Sequence, residues 1–287
     1  MRPAARTALC LLLLACPAAA KGGKRPDLSG AGRWAAFYGK NLSLQAWDSL
    51  DLAITDPDTF ALPKSTGPVS VAYISVGEAD EHRSFWPEVR GQPFVIEPNP
   101  EWPGAHRVDM RAEQWRGLLL RQVIPAALKR GYQGVMLDTI DVAQYFESSA
   151  PARFAGSMQA AVDFVQELRR RHPETAILIN NGLPLLERLG ETIDGVLVED
   201  LYTRCLPAAE RCAPTPEAVA LAKEKLLKDF TVRTGRPVFV VLYAQLSERG
   251  SKWLRGAVRR SRRMGFKPYV ASPSLQRLGV IEPNADK

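Results

Sequence analysis

Two short frames in the sequence repeat each other. Residues 134–138 read GVMLD and residues 195–199 read GVLVE. In each, a glycine and three apolar residues run into a carboxylate, Asp138 in the first and Glu199 in the second. An acid at the end of an otherwise apolar run is costly to bury unless a partner or a function holds it there. Two carboxylates facing across a cleft suit hydrolysis of a glycosidic bond. One protonates the leaving oxygen while the other attacks the anomeric carbon or activates a water. Apolar surroundings raise the pKa of one, and hydrogen bonds keep the other ionised. Acids at strand-to-helix turns also serve as N-caps, and Asp141 in GVMLDTID is the more cap-like of its pair. The recurrence of one frame at two places favours Asp138 and Glu199 as the working pair.

Other chemistries find no motif. The sequence has no GxSxG elbow, no HExxH and no Walker loop. Its three histidines, His82, His106 and His172, are scattered, so neither a metal nor another cofactor is expected. The formal net charge is +7. Its arginines gather at predicted helix ends, as in Arg169 to Arg171 and Arg259 to Arg263, where the helix dipole and water favour cations. No aromatic residues interleave with them as a base-stacking platform requires, so nucleic acid is not an expected partner.

The first residues, MRPAARTALCLLLLACPAAAKGG, read as an export signal over 1–20. Arg2 and Arg6 form the positive end, and Ala8 to Ala15 is an apolar run too short to remain as a membrane span. Two processing routes fit. Leu13-Leu14-Ala15-Cys16 resembles a lipobox, which would lipidate Cys16, and Ala18-Ala19-Ala20 suits ordinary cleavage. The product is then a cell-envelope lipoprotein or a secreted or periplasmic protein, touching membrane only through that anchor. Residues 21–32, KGGKRPDLSGAG, read as a flexible tether. Export implies an oxidising compartment, so Cys205 and Cys212 are expected to pair as a disulfide.

The elements that position the two acids follow from counting apolar runs. Eight of strand length occur: 34–38, 50–55, 69–76, 134–137, 176–179, 195–198, 238–243 and 269–271. Most are apolar on both faces, as in a parallel sheet covered on both sides. Helical patterns lie between several of them. One is predicted from Asp109 to Gly131, one along Met158, Ala161, Val162, Val165 and Leu168, one from Thr215-Pro216-Glu217 to Gly235 and one from Ser247 to Gly265. Pro57, Pro63 and Pro68 argue against a helix between the second and third strands. The α/β class is therefore clear, and a single (β/α)8 TIM barrel over 33–282 is the expected architecture. A doubly wound sheet is the alternative, but the glycine-rich phosphate turn it usually carries is missing. In a barrel the C-terminal strand ends form one mouth. That gathers Tyr38, Glu78 and Asp80 as candidate substrate contacts beside the two acids, with Asp141, Asn180 and Asn181 further round. Asp200, Tyr243 and Ser272 complete the predicted set. Trp86 and Trp102 fall in a proline-rich stretch, about 80–108, read as a loop walling a groove.

AYISVGEAD, GVMLDTID, ILINNG, GVLVEDL and the final PYVASP together resemble glycoside hydrolase family 114, the endo-α-1,4-polygalactosaminidases and their relatives. The resemblance spans most of residues 33–280. It implies a (β/α)8 barrel, an exported and metal-free enzyme, and a galactosamine-containing polysaccharide as substrate. It also implies a catalytic Asp after strand four and a catalytic Glu after strand six, which here are Asp138 and Glu199. By analogy with retaining barrels, Asp138 is expected as nucleophile and Glu199 as general acid and then base. Their carboxyls should lie about 5–5.5 Å apart for retention, against about 6.5–9.5 Å for inversion. The acidic mouth suits a cationic chain despite the basic net charge. A surface lipoprotein that binds polysaccharide without cutting it is the competing expectation. A monomer is expected in either case.

Overall fold

The computed structural model describes residues 24–206 and 211–279. The export signal, with Cys16, lies outside the described residues. Eight strands form one sheet: β1 (Trp34–Phe37), β2 (Leu52–Thr55), β3 (Val69–Ser75), β4 (Gly134–Asp138), β5 (Ala176–Asn180), β6 (Gly195–Val198), β7 (Val238–Tyr243) and β8 (Lys267–Ala271). Each pairs in parallel with the next, in chain order, with no reversal. A doubly wound sheet has a reversal at its switch point, so that alternative is excluded. β8 comes back against β1. The Trp34 Nε1–H donates to the Lys267 carbonyl at 3.1 Å, and the Trp34 and Tyr269 rings lie 5.2 Å apart. The result is a nearly closed (β/α)8 barrel.

Strand alternation divides the core into two layers. Met136, Leu178, Leu197, Phe239, Val241 and Tyr269 fill the barrel interior with Trp34 and Ile54. Val135, Leu137, Ile177, Ile179, Val196 and Val240 face outward and pack under the helices, against Val165, Leu168, Leu227 and Phe230. Strands buried on both faces therefore read as unbroken apolar runs. The glycines that open both repeated frames are packing residues. A Cβ on Gly134 would lie 2.8 Å from the Ala176 carbonyl oxygen, and one on Gly195 would lie 2.8 Å from a Leu178 methyl.

The structure corrects several expected boundaries. The helix predicted from Asp109 begins at Glu113, because the Asp109 carboxylate is occupied by the Arg111 guanidinium at 2.7 Å. It continues to Lys129 through a π turn over Leu119–Val123. Pro125 lacks the N–H that an uninterrupted α-helix needs, and the wider turn accommodates the loss. The last helix starts at Lys252, capped by the Ser251 hydroxyl, and not near Ser247. No helix separates β2 from β3, as the prolines indicated. The stretch around 80–108 is not a loop. It forms a three-stranded antiparallel sheet from Glu78–Asp80, Val95–Pro98 and Ala105–Val108. Part of the expected tether is also packed. Leu28 is 2% exposed, and Arg25 reaches Asp194 at 3.0 Å, a buried carboxylate that Arg169 and Arg236 also hold.

Candidate active site

The alternation that buries Met136, Leu178 and Leu197 inside the barrel fixes the direction of the residues two further on. Asp138, Asn180 and Glu199 therefore face inward at the C-terminal rim, and Tyr243 follows from Phe239 and Val241 in the same way. Immediately after each of the first three, the chain turns through left-handed backbone: Thr139 (φ 57°), Asn181 (φ 52°) and Asp200 (φ 54°). Such residues cost about 1–3 kcal/mol each and persist where surrounding structure enforces them. Threonine is the worst suited of the three, being β-branched. Its hydroxyl is held on several sides: it accepts from the Gly77 N–H at 2.9 Å, donates to the Asp138 carbonyl at 2.7 Å and lies 3.0 Å from the Ser75 hydroxyl. Gly77 has no room for a side chain, since a Cβ there would lie 2.0 Å from the Thr139 carbonyl oxygen.

One amide stands beside both acids. The Asn180 Nδ2 donates to Asp138 Oδ1 at 2.7 Å, and the same side chain stands close enough to Glu199 to favour its charged form. Tyr243 donates its hydroxyl to Glu199 Oε1 at 2.7 Å. The pKa of Glu199 is nonetheless pushed up to about 7, first by loss of water and then by the negative charge of Asp138. Tyr38 and Tyr73 are held well above the ordinary tyrosine range by burial and then by the Asp138 charge, so both stay protonated as donors. Their rings meet edge to face at 5.0 Å. A carboxyl that keeps its proton near neutrality, beside a carboxylate supplied with a donor, is the pairing that glycoside hydrolysis requires.

The other predicted residues separate into two groups. Asp141 lies at the mouth and does not cap its helix with its side chain. Although its surface is open to solvent, protein encloses it on most sides, and its pKa rises to about 6 through loss of water and then the Asp138 charge. Asp80 is raised mainly by burial, with Arg83 opposing at 3.6 Å. Glu78 is 5% exposed and also raised by burial; the Asn99 amide donates to it at 2.7 Å. Asp200 is open to solvent at its left-handed turn, and Ser272 has a buried hydroxyl without a protein partner at the end of β8. The Asn181 Oδ1 accepts the Glu199 backbone N–H at 3.2 Å, which braces the chain just past β6. Cys205 and Cys212 are paired as a disulfide across an antiparallel hairpin of Thr203–Leu206 with Arg211–Pro214. The Glu248 carboxylate accepts the Cys212 N–H at 3.2 Å, which docks the hairpin on the turn after Tyr243. Of the two loop tryptophans, Trp86 stacks on His106 at 4.7 Å between ring centres, while Trp102 stands 64% exposed. Among the described residues, no group of three or more His, Cys, Asp or Glu side chains could hold a metal ion.

Two site residues escaped the sequence reading. Tyr73 lies inside an apolar strand, but its parity with Ser75 marks it as inward-facing. Lys223 lies on the helix Glu217–Thr234, and its ammonium donates to the carbonyls of Glu199 at 3.1 Å and Asp200 at 3.4 Å. Its signal was a charge three residues after Ala220 and four before Leu227, on the buried face of that helix.

Two inward carboxyls of this kind at a barrel mouth are the arrangement that (β/α)8 glycosidases use. The chain is a member of Glycoside-hydrolase family GH114, whose model matches residues 19–285, and is thus a glycoside hydrolase. The glycoside hydrolase domain of PelA from Pseudomonas aeruginosa is 26% identical, with a TM-score of 0.75 covering 88% of this chain and 98% of that one. Ega3 of Aspergillus fumigatus, solved in complex with galactosamine, shares the fold at a TM-score of 0.68 and 13% identity, covering 90% of this chain and 98% of that one. An uncharacterised protein of Deinococcus radiodurans is 27% identical over 280 residues, covering 91% of this chain and 86% of its own length.

Proposed function

We propose that the protein is an exported, endo-acting glycosidase that cleaves α-linked galactosamine or N-acetylgalactosamine units within a polysaccharide. The observation that carries this reading is the pair of inward carboxyls at the mouth, Asp138 holding a hydrogen bond from Asn180 at 2.7 Å and Glu199 pushed up to about 7. Asp138, supplied with a hydrogen bond by Asn180, attacks the anomeric carbon. Glu199 gives its proton to the departing oxygen. A glycosyl ester on Asp138 results, and water activated by the deprotonated Glu199 releases it with retention of configuration. Asp80, Asp141 and Asp200 make the mouth acidic, which favours entry of a chain bearing ammonium groups. The galactosamine bound to Ega3 and the hydrolase fold shared with PelA support this substrate class. Export, as a lipoprotein or as a freely secreted protein, follows from the sequence of residues 1–20.

The test is release of oligosaccharides from α-1,4-linked galactosamine polymer by the purified protein. Binding without release would favour the non-catalytic reading. A pH profile adds a sharper one. Glu199 must be protonated to act as acid, so kcat/KM is expected to fall as pH rises through about 7. The Tyr243 hydroxyl stabilises the charged form of Glu199. Tyr243→Phe is therefore expected to raise the Glu199 pKa further and move the alkaline limb to higher pH. A limb that moves to lower pH, or not at all, would contradict Glu199 as the acid.

A further inference from the structure

Trp102 is the one strongly exposed tryptophan among the described residues, and its mounting is rigid. It sits at the tip of the antiparallel sheet that follows β3. Its N–H donates to the Asn99 carbonyl at 3.3 Å, and its carbonyl accepts the Ala105 N–H at 3.0 Å. The Asn99 side chain ties this tip to the mouth, since its amide donates to the buried Glu78 at 2.7 Å and its Oδ1 accepts the Glu101 N–H at 3.0 Å. Glu101 comes within electrostatic reach of Asp200, at the end of the strand that carries Glu199. The two core layers bury Trp34, Trp47 and Trp115, and Trp86 has His106 as its stacking partner. Trp102 has a flat apolar face and no protein neighbour stacked on it. On the same antiparallel sheet, Glu97 accepts the hydroxyl of Tyr145, which is 42% exposed, at 2.9 Å, and the Arg107 guanidinium lies over the Tyr145 ring at 4.2 Å.

We propose that the Glu101–Trp102 tip is an outer sugar-binding subsite that stacks a pyranose ring on the indole and selects units carrying a free ammonium group over acetylated ones. The indole offers the apolar face of the sugar a surface and offers a cation its negative quadrupole. Glu101 supplies the opposite charge at the same place. An acetylated unit keeps the stacking and loses both charge terms. The subsite lies outside the bond-breaking centre, so it acts on long chains and leaves short ones alone. This inference rests on the substrate class proposed above.

The test uses α-1,4-linked galactosamine oligosaccharides of increasing length and the full-length polymer, each deacetylated or acetylated. For Trp102→Ala the KM on deacetylated polymer is expected to rise about tenfold, the factor that 1.4 kcal/mol represents. The KM on the shortest substrate that is cut should stay unchanged, and Trp102→Phe should restore most of the loss. Glu101→Gln should raise KM on deacetylated polymer only, with an effect that shrinks in high salt. In an inactive Glu199→Gln background, deacetylated oligosaccharide should shield the exposed tryptophan from acrylamide quenching, and Trp102→Phe should abolish that signal. If the parent cuts the polymer while Trp102→Ala keeps the parental KM at every length, the subsite is overturned and the substrate reading stands. A parent that neither cuts nor binds galactosamine chains overturns both. An equal loss on acetylated and deacetylated chains overturns the ammonium preference.

Discussion

Glu199→Gln is expected to lower kcat on galactosamine polymer by about 10²–10⁴-fold, the range contributed by a positioned general acid. Asp138→Asn should cost at least as much, because it removes the atom that forms the covalent bond. The two are separable by leaving group. The phenolate of an activated aryl galactosaminide departs without protonation, so its first step should be far less sensitive to Glu199→Gln, while Asp138→Asn remains inactive on it. If instead both variants cut the aryl substrate equally well, the division of roles between the two acids is wrong. The same geometry makes a stability prediction whose sign can be worked out. Folding carries Glu199 from an ordinary value of 4.5 to about 7, a shift that disfavours its charged form in the folded protein. The cost is absent below pH 4.5, grows as pH rises toward 7 and is complete above it, where it amounts to about 3 kcal/mol as an upper figure. Glu199→Gln should accordingly melt higher than the parent above pH 7, and the two should converge in acid. Loss of activity with a gain in stability is the signature of a group strained for function; an inactive variant that also melts lower at pH 8 would point to a structural role.

Asn180→Ala is the second change with a large expected effect, about 10²–10³-fold in kcat, the loss seen when one preorganised donor is removed from a charge-developing centre. Asn180 is 5% exposed, donates to Asp138 and stands beside Glu199, while its own Oδ1 has no protein partner. Removing the amide should therefore take a hydrogen bond from Asp138 and disturb the titration of Glu199 without unfolding the barrel. Without that amide the charged form of Glu199 is less favoured, so the alkaline limb of kcat/KM should move upward. Thermal melting of the variant near the parental temperature, combined with an unchanged alkaline limb and near-parental kcat, would show that Asn180 has no part in catalysis.

How far the sequence discloses this arrangement depends on periodicity. The eight apolar runs were legible because strands buried on both faces need no alternation. The inward direction of Asp138, Asn180 and Glu199 was likewise legible from their place one step past such a run. Helix starts were not, since Asp109 and Ser247 look like caps and each is engaged otherwise, by Arg111 and by the turn that Glu248 closes. The sheet around Trp102 hid behind its prolines and its irregular register between Val95 and Glu97. Lys223 contacts Glu199 across 24 positions of sequence, a proximity that only the closure of the sixth strand and its helix creates. The role of Asn181 in holding the Glu199 backbone N–H was not legible, because its residue type alone does not reveal the bond it makes.

The most direct measurement is the anomeric configuration of the first product. The purified protein is mixed with an α-1,4-linked galactosamine oligosaccharide, and proton NMR follows the new reducing end before mutarotation scrambles it. Retention requires the α-anomer to appear first, because Asp138 attacks carbon from one face and water activated by Glu199 then displaces it from the opposite face, the one the leaving oxygen occupied. A β-anomer appearing first would make Asp138 a base acting on water, and no new reducing end at all would contradict the assignment of this barrel to galactosamine chains.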